Sequence, residues 1–370
     1  MTEGLLSRFL AAGAMAAALL AAPALAASGS ALEAEFDTMF GGPKAKVESP
    51  AVNVRRNQLP ASVQPAVVPV RPAVSLVPVI SSPTPSYSSP FEASIAALAE
   101  GSQGRIGVAA LDLETGRSVS ILGDQAFPMA STSKIAIVAT FLSGVDEGRY
   151  RLYDQYPLIV PVPSKKFSST QAPVRQGTMM SAQSLIEAAI TRSDNQATDA
   201  LLAAVGGPSV VTRWVQSRTG ITDFRIDRTI ATLVRDDGAV NPATAIDKRD
   251  SVSPMGMVRL LTGLYRGDWL SPSSTQVLLG AMGRTVTGKH RIRGLLPEGT
   301  QVAHKTGTLF NTASDVGFIK TPDGRDLAVA IYVTGQGSKP ARDARIAAIA
   351  RSLYDGYLAE AASNRRTALR

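Results

Sequence analysis

From Phe91 onward the chain switches between two hydrophobic periods, and the switches outline the domain. Residues 95–98 predict a first helix. The run Ile106-Gly-Val-Ala-Ala-Leu-Asp-Leu, the Glu114-Thr-Gly after it and Ser118-Val-Ser-Ile-Leu predict two strands around a tight turn. Residues 135–142 are apolar on every side, as expected of a helix in the middle of a globular core. Helical patterns then run from Ser181 to Val215, broken at Gly206-Gly207-Pro208, and recur at 255–265 and 274–282. After Pro297 strands return at 301–305, 314–319 and 327–333, and residues 343–357 predict an amphipathic helix. Strands at both ends with helices between them imply an α/β sheet domain over 91–358, interrupted by an all-helical subdomain at about 146–282. A cleft is expected where the two parts meet.

The first 90 residues follow another pattern. Arg8, an apolar stretch from Phe9 to Leu20 and a small-residue site at Ala24-Leu25-Ala26 predict an export signal over residues 1–26. The apolar stretch is short for a membrane span, and an uncleaved anchor is the second reading. Export, to the periplasm, is the expectation. Pro60, Pro65, Pro69, Pro72, Pro78, Pro83, Pro85 and Pro90 mark residues 27–90 as an extended tether without a packed core. Such a tether reads equally as a spacer from a membrane or wall and as a leader with no specific role. Residues 359–370 read as a basic tail.

Composition removes several kinds of chemistry. The absence of cysteine excludes disulfides, thiolate catalysis and Cys-based metal sites. His290 and His304 are too few and too far apart to suggest a zinc centre, and no cofactor is expected. The net charge of +8 could suit an anionic partner, but Lys and Arg are scattered without interleaved aromatics, so nucleic-acid binding is not expected.

What remains is serine chemistry. Ser131 and Lys134 lie three apart at the start of the apolar helix, so the amine can reach the hydroxyl. A serine at a helix start also sits where the macrodipole stabilises an oxyanion. Ser193-Asp194-Asn195 interrupts the helical region 62 residues later, and Lys305-Thr306-Gly307-Thr308 ends the first late strand after 112 more. Taken singly, each has a plainer reading: Ser131 as helix-start chemistry, Ser193 and Asp194 as a cap, Lys305 as a strand-end charge, Arg291 as a solvated arginine.

Together and in this order the three motifs resemble those of the penicillin-recognising serine enzymes. The likeness continues through Ala188-Ala-Ile-Thr-Arg-Ser-Asp-Asn, Gly206-Gly-Pro and Arg291-Ile-Arg-Gly-Leu-Leu-Pro, and is greatest to the class A β-lactamases. That resemblance implies an antiparallel sheet flanked by helices with the helical subdomain inserted. It also implies roles. Ser131 would attack an acyl carbon while Lys134 helps take its proton. Ser193 would relay a proton to the leaving nitrogen, and Asn195 would bind the substrate's side-chain amide and orient Lys134. Lys305, Thr306 and Arg291 would bind a substrate carboxylate. The backbone N–H groups of Ser131 and Thr308 would form the oxyanion hole.

One departure changes the expected reaction. In the stretch 226–234, Ile230 and Val234 stand where the family places the water-activating glutamate and its asparagine helper. No glutamate occurs between Glu187 and Glu298. Arg228 and Asp250, whose counterparts close this loop in the family, are present, and the loop is several residues longer than usual. Loss of the base favours acylation over deacylation. Asp236 or Asp237 as substitute carboxylate, and Lys134 serving both half-reactions, are the ways around it. The expected function is a β-lactamase-type acyl-enzyme hydrolase with slow or altered deacylation, acting on β-lactams. Its rivals are a cell-wall D,D-peptidase or esterase, and a non-turnover binder of acyl ligands.

Overall fold

The computed structural model describes residues 76–78, 89–101 and 103–368. The expected export signal lies outside these residues, as does most of the proline-rich stretch. In chain order, β1 (Leu76–Pro78), α1 (Pro90–Ala99), β2 (Ile106–Asp112), β3 (Ser118–Ile121) and β4 (Phe127–Pro128) lead to a 3-10 turn at Ala130–Ser133 and helix α2 (Lys134–Asp146). There follow β5 (Gln155–Pro161), β6 (Val174–Ser181), α3 (Ala182–Thr191), α4 (Asn195–Val205), α5 (Pro208–Thr219) and α6 (Ile230–Arg235). The chain continues through β7 (Ala245–Asp247), β8 (Ser251–Val252), α7 (Pro254–Arg266) and α8 (Pro272–Gly283). It closes with β9 (Val302–Leu309), β10 (Thr312–Lys320), β11 (Asp326–Thr334) and α9 (Lys339–Ala368).

Five strands form one antiparallel sheet in the order β3-β2-β11-β10-β9. Both faces are covered, so β10 and β11 are buried along nearly their whole length, and β11 reads as a nearly continuous apolar run. The two-residue period still sorts their side chains. Val329, Ile331 and Val333 join α1 and α9 in one core, whereas Ala328, Ala330 and Tyr332 face the larger core of the helical part. β9 is an edge strand and is therefore free to form one wall of the cleft. Helix α2 is buried from Lys134 to Gly144, the central position its apolar run predicts.

Four details differ from the sequence reading. The inserted subdomain is not wholly helical, because β5 and β6 form an antiparallel hairpin in it. Most of β6 is exposed, which removes the alternation that would have revealed the pair. Ser131 lies in the 3-10 turn before α2, not in the first α-helical turn. Lys305-Thr306-Gly307 lies inside β9, which runs on to Leu309. Residues 359–368 continue α9 instead of leaving it as a tail, and Glu360 reaches back to pair with Arg117 at 3.3 Å. In addition, β1, within the expected tether, pairs antiparallel with β7.

Candidate active site

Ser131 enters the cleft on a strained support. Ala130, just before it, has φ 50°, a left-handed conformation that costs a non-glycine residue energy and persists only when its surroundings enforce it. Gly307 supplies part of that enforcement. A Cβ there would stand 2.4 Å from Ser314 Oγ and 2.6 Å from the Met129 carbonyl, so only glycine lets β9 lie this close to the segment carrying Ser131. The third and second positions of the Lys-Thr-Gly motif thus have different work: one permits contact, the other lines the cleft.

Lys134 is fully buried at the head of α2. Its ammonium donates to the Ser193 carbonyl at 2.6 Å, Asn195 Oδ1 at 2.7 Å, Ser193 Oγ at 3.2 Å and the Asp194 carbonyl at 3.3 Å. Ser193 can present both its carbonyl and its hydroxyl because it too adopts a left-handed φ, 60°. Asp194 then caps α4 through Ala197 N at 2.8 Å, so its capping reading is correct and compatible with the site. Burial pushes the Lys134 amine down to about 7, opposed by the charges of Asp194 and Asp199. Near neutral pH it is therefore poised between acid and base.

Lys305 is also fully buried, and its ammonium donates to the Thr306 carbonyl at 2.9 Å. Burial pushes it well below the usual lysine range, the charges of Lys134 and Arg291 push the same way, and Asp315 opposes them. Thr306 shares a hydrogen bond with Thr287, Oγ1 to Oγ1, at 2.7 Å. Ser131, Ser193, Asn195, Thr306, Thr308 and Arg291 all line one cleft of about 370 Å³.

Arg291 does not present a free guanidinium to that cleft. It is buried and committed to Asp343 at 2.7 Å, the carbonyls of Gly307 and Ser314 at 2.8 Å each, and Thr308 Oγ1 at 2.6 Å. It braces β9 and aims the Thr308 hydroxyl, so its influence on a ligand passes mainly through Thr308. The sequence motif located it correctly but could not show these four partners.

A chain with this strand order and these three converging motifs has clear relatives. Residues 90–357 match the model of the β-lactamase enzyme family. The chain belongs to the class A β-lactamase family. A β-lactamase of Proteus vulgaris is 32% identical over 250 residues, 66% of this chain and 88% of that protein. The extended-spectrum β-lactamase PER-1 of Pseudomonas aeruginosa is 31% identical over 283 residues, 73% and 88% of the two chains. Among solved structures, an ancestral class A β-lactamase has a TM-score of 0.60 and 36% identity, covering 72% of this chain and 99% of its own. A β-lactamase from Chitinophaga pinensis has a TM-score of 0.64 and 26% identity, covering 73% and 100%.

In this class A β-lactamase homologue, the loop from Ile226 to Asp250 is closed by the expected ion pair, Arg228 to Asp250 at 2.6 Å. Asp250 also accepts from the amides of Asp227 and Arg228 at 2.9 and 3.1 Å. Ile230 is 3% exposed in the larger core, whereas Val234 is 50% exposed. Asp236 and Asp237 are not among the cleft-lining residues; they are engaged elsewhere, Asp236 with Arg235 and the Phe167 amide, Asp237 with the Phe310 amide.

Sequence reasoning passed over two buried acids. Asp199 on α4 accepts from the amides of Ile230 at 2.7 Å and Ala231 at 2.8 Å, clipping the start of α6 to the subdomain. Burial raises its carboxyl to about 6. Asp315 on β10 bonds both oxygens to His304 Nδ1, at 2.8 and 2.9 Å, directly behind Lys305. In sequence Asp199 reads as an ordinary helix acid; its role is set by the two amides of α6 that the fold brings to it.

Proposed function

We propose that this enzyme forms an ester between Ser131 and a β-lactam and hydrolyses that ester slowly. The carrying observation is Lys134: a buried amine within 3.2 Å of Ser193 Oγ, lowered to about 7, beside the cleft that holds Ser131. In acylation Ser131 Oγ bonds to the lactam carbonyl carbon while its proton passes to Lys134 Nζ. The carbon–nitrogen bond breaks, and the ring nitrogen takes a proton through Ser193 Oγ, which the Lys134 ammonium replenishes. The Ser131 and Thr308 amides stabilise the oxyanion. The substrate carboxylate is met by Lys305, Thr306 and Thr308, and its charge draws the Lys305 amine back toward its protonated form.

Deacylation needs a base for water, and Ile230 offers none where the loop would carry one. With Asp236 and Asp237 engaged outside the cleft, we assign Lys134 as the base for both half-reactions. Action outside the cytoplasm rests on the signal pattern of residues 1–26.

The test is an intact-mass time course of the purified protein with benzylpenicillin, with free product followed in the same tube. A lasting one-to-one adduct, absent in Ser131→Ala, with little product is the expected result. Product accumulating over a transient adduct would overturn slow deacylation. Neither adduct nor product would overturn the β-lactam reading and direct the search to wall peptides and esters.

A further inference from the structure

The cleft that holds Ser131 carries more positive charge than one substrate carboxylate uses. Lys289, His290 and Lys339 line it beside the site residues already described. Residues 288–291 form a tight turn, closed by the Arg291 amide donating to the Gly288 carbonyl at 2.9 Å. Gly288 has φ 74°, and a Cβ there would stand 2.4 Å from Thr306 Cγ2, so glycine is what lets the turn start against β9. Both flanks of the turn are pinned. Thr287 shares its hydroxyl hydrogen bond with Thr306 at 2.7 Å, and the Ile292 amide donates to Asp315 Oδ2 at 3.1 Å.

Lys289 and His290 are the two central residues of this turn. Both are exposed, and neither has a hydrogen-bond or ion-pair partner among the described residues. Lys339, the first residue of α9, is the other exposed cation of the lining, with its ammonium 2.9 Å from Asp343 Oδ2. The other oxygen of Asp343 takes the buried Arg291 at 2.7 Å. Among the described residues that line the cleft, Asp343 is the only carboxylate. Its one negative charge is thus shared by two cations, and Lys289 has none to itself.

We propose that Lys289 and Lys339, with the ring N–H of His290, form a subsite for a second anionic group on the acyl donor. The proposal rests on the acyl-enzyme reading above, in which Lys305, Thr306 and Thr308 take the ring carboxylate. In a cephalosporin the carbon bearing the 3-arm adjoins the carbon bearing that carboxylate. Docking the carboxylate at Thr306 therefore brings the 3-arm to the turn that abuts Thr306. The turn is held in place before the ligand arrives, so little ordering cost opposes the attraction. Charges this exposed act on binding and not on bond breaking, and salt screens them.

The test uses two cephalosporins with one acyl group, whose 3-arms end in a carboxylate and in the corresponding carboxamide. Stopped-flow acylation separates the dissociation constant of the encounter complex from the limiting rate. At about 0.01 M ionic strength, where screening reaches about 30 Å, the carboxylate arm should lower the dissociation constant about tenfold, with no gain in limiting rate. At about 1 M, where screening falls to about 3 Å, the preference should vanish. Lys289→Gln/Lys339→Gln should abolish the preference at low salt, Lys289→Glu should reverse it, and Lys289→Arg should keep it. Both ligands share the ring carboxylate, so a merely structural role for these lysines would move both constants equally and leave their ratio unchanged. An unchanged ratio in the double variant, or a preference in the unaltered enzyme that is absent at low salt or persists at high salt, would overturn the subsite. Should the double variant fail to fold, Lys289→Glu on the exposed turn and the salt series decide the matter. The same two ligands are titrated calorimetrically into Ser131→Ala, which binds without acylation. If the unaltered enzyme forms no adduct, the acyl-enzyme reading fails, and equal binding or no binding to Ser131→Ala would overturn the subsite as well.

Discussion

The depressed Lys134 amine makes a specific claim about pH. A general base works only when unprotonated, so acylation must rise as pH rises through its midpoint and level off above it. With the midpoint at about 7, the neutral fraction is roughly one-eleventh at pH 6, one-half at pH 7 and ten-elevenths at pH 8. Pre-steady-state acylation by a chromogenic cephalosporin should therefore increase about tenfold between pH 6 and 8 and change little from 8 to 9. An amine near the ordinary 10.5 would instead give a tenfold rise per pH unit with no plateau in that range. Asp199 supplies an internal control, because its negative charge favours the protonated amine. Asp199→Asn removes the charge and should move the midpoint lower, so the variant acylates faster than the parent at pH 6. It also gives the amides of Ile230 and Ala231 one acceptor in place of two, at about 1–3 kcal/mol of stability. A profile that climbs without levelling through pH 9, or a midpoint that rises in Asp199→Asn, would refute the assignment of Lys134 as base.

Three other variants test the frame around the site. Arg228→Met leaves the buried Asp250 carboxylate unpaired and should cost about 3–5 kcal/mol in urea unfolding, with the loop released first in hydrogen exchange. Gly307→Ala pushes β9 off the Met129 carbonyl and should lower acylation at least tenfold while costing only about 1–3 kcal/mol in stability; an alanine variant with full activity would show that the close approach is dispensable. Phe141→Ala empties the middle of α2, where the ring stacks on Tyr150 at 4.9 Å between centroids, and should lower stability by about 3–5 kcal/mol, read by thermal unfolding.

The parts of this molecule that were legible in sequence are those written locally. The apolar run after Lys134 specifies a buried helix whatever surrounds it, and β11 announces itself because both faces of its sheet are covered. Ser131, Lys134, Ser193, Asn195 and Lys305 were legible because their spacing is itself the signal. Features set by a distant partner were not. β6 shows its exposed face to the reader and hides its pairing with β5. The motif singles out Arg291 but not its commitment to Asp343, 52 residues away, and to two strand carbonyls. Asp199 looks like an ordinary helix acid until α6 places two amides on it.

Asp199 also bears on the obvious repair of the loop, Ile230→Glu. Residue 230 is buried, and its own amide already bonds to the Asp199 carboxylate at 2.7 Å. A glutamate here joins a carboxylate whose burial has raised it to about 6, so burial and like charge both push the new acid upward. A protonated glutamate cannot take a proton from water. The repaired enzyme should therefore hydrolyse its adduct faster than the parent chiefly at higher pH, and little faster at pH 6. Neutralising the neighbour in Ile230→Glu/Asp199→Asn should bring the gain down to neutral pH. Single-turnover deacylation of the benzylpenicillin adduct, followed by mass from pH 6 to 9, separates the cases. If Ile230→Glu gains equally at every pH and the double variant adds nothing, the two carboxylates are not coupled, and the apolar loop position alone would account for the proposed slow deacylation.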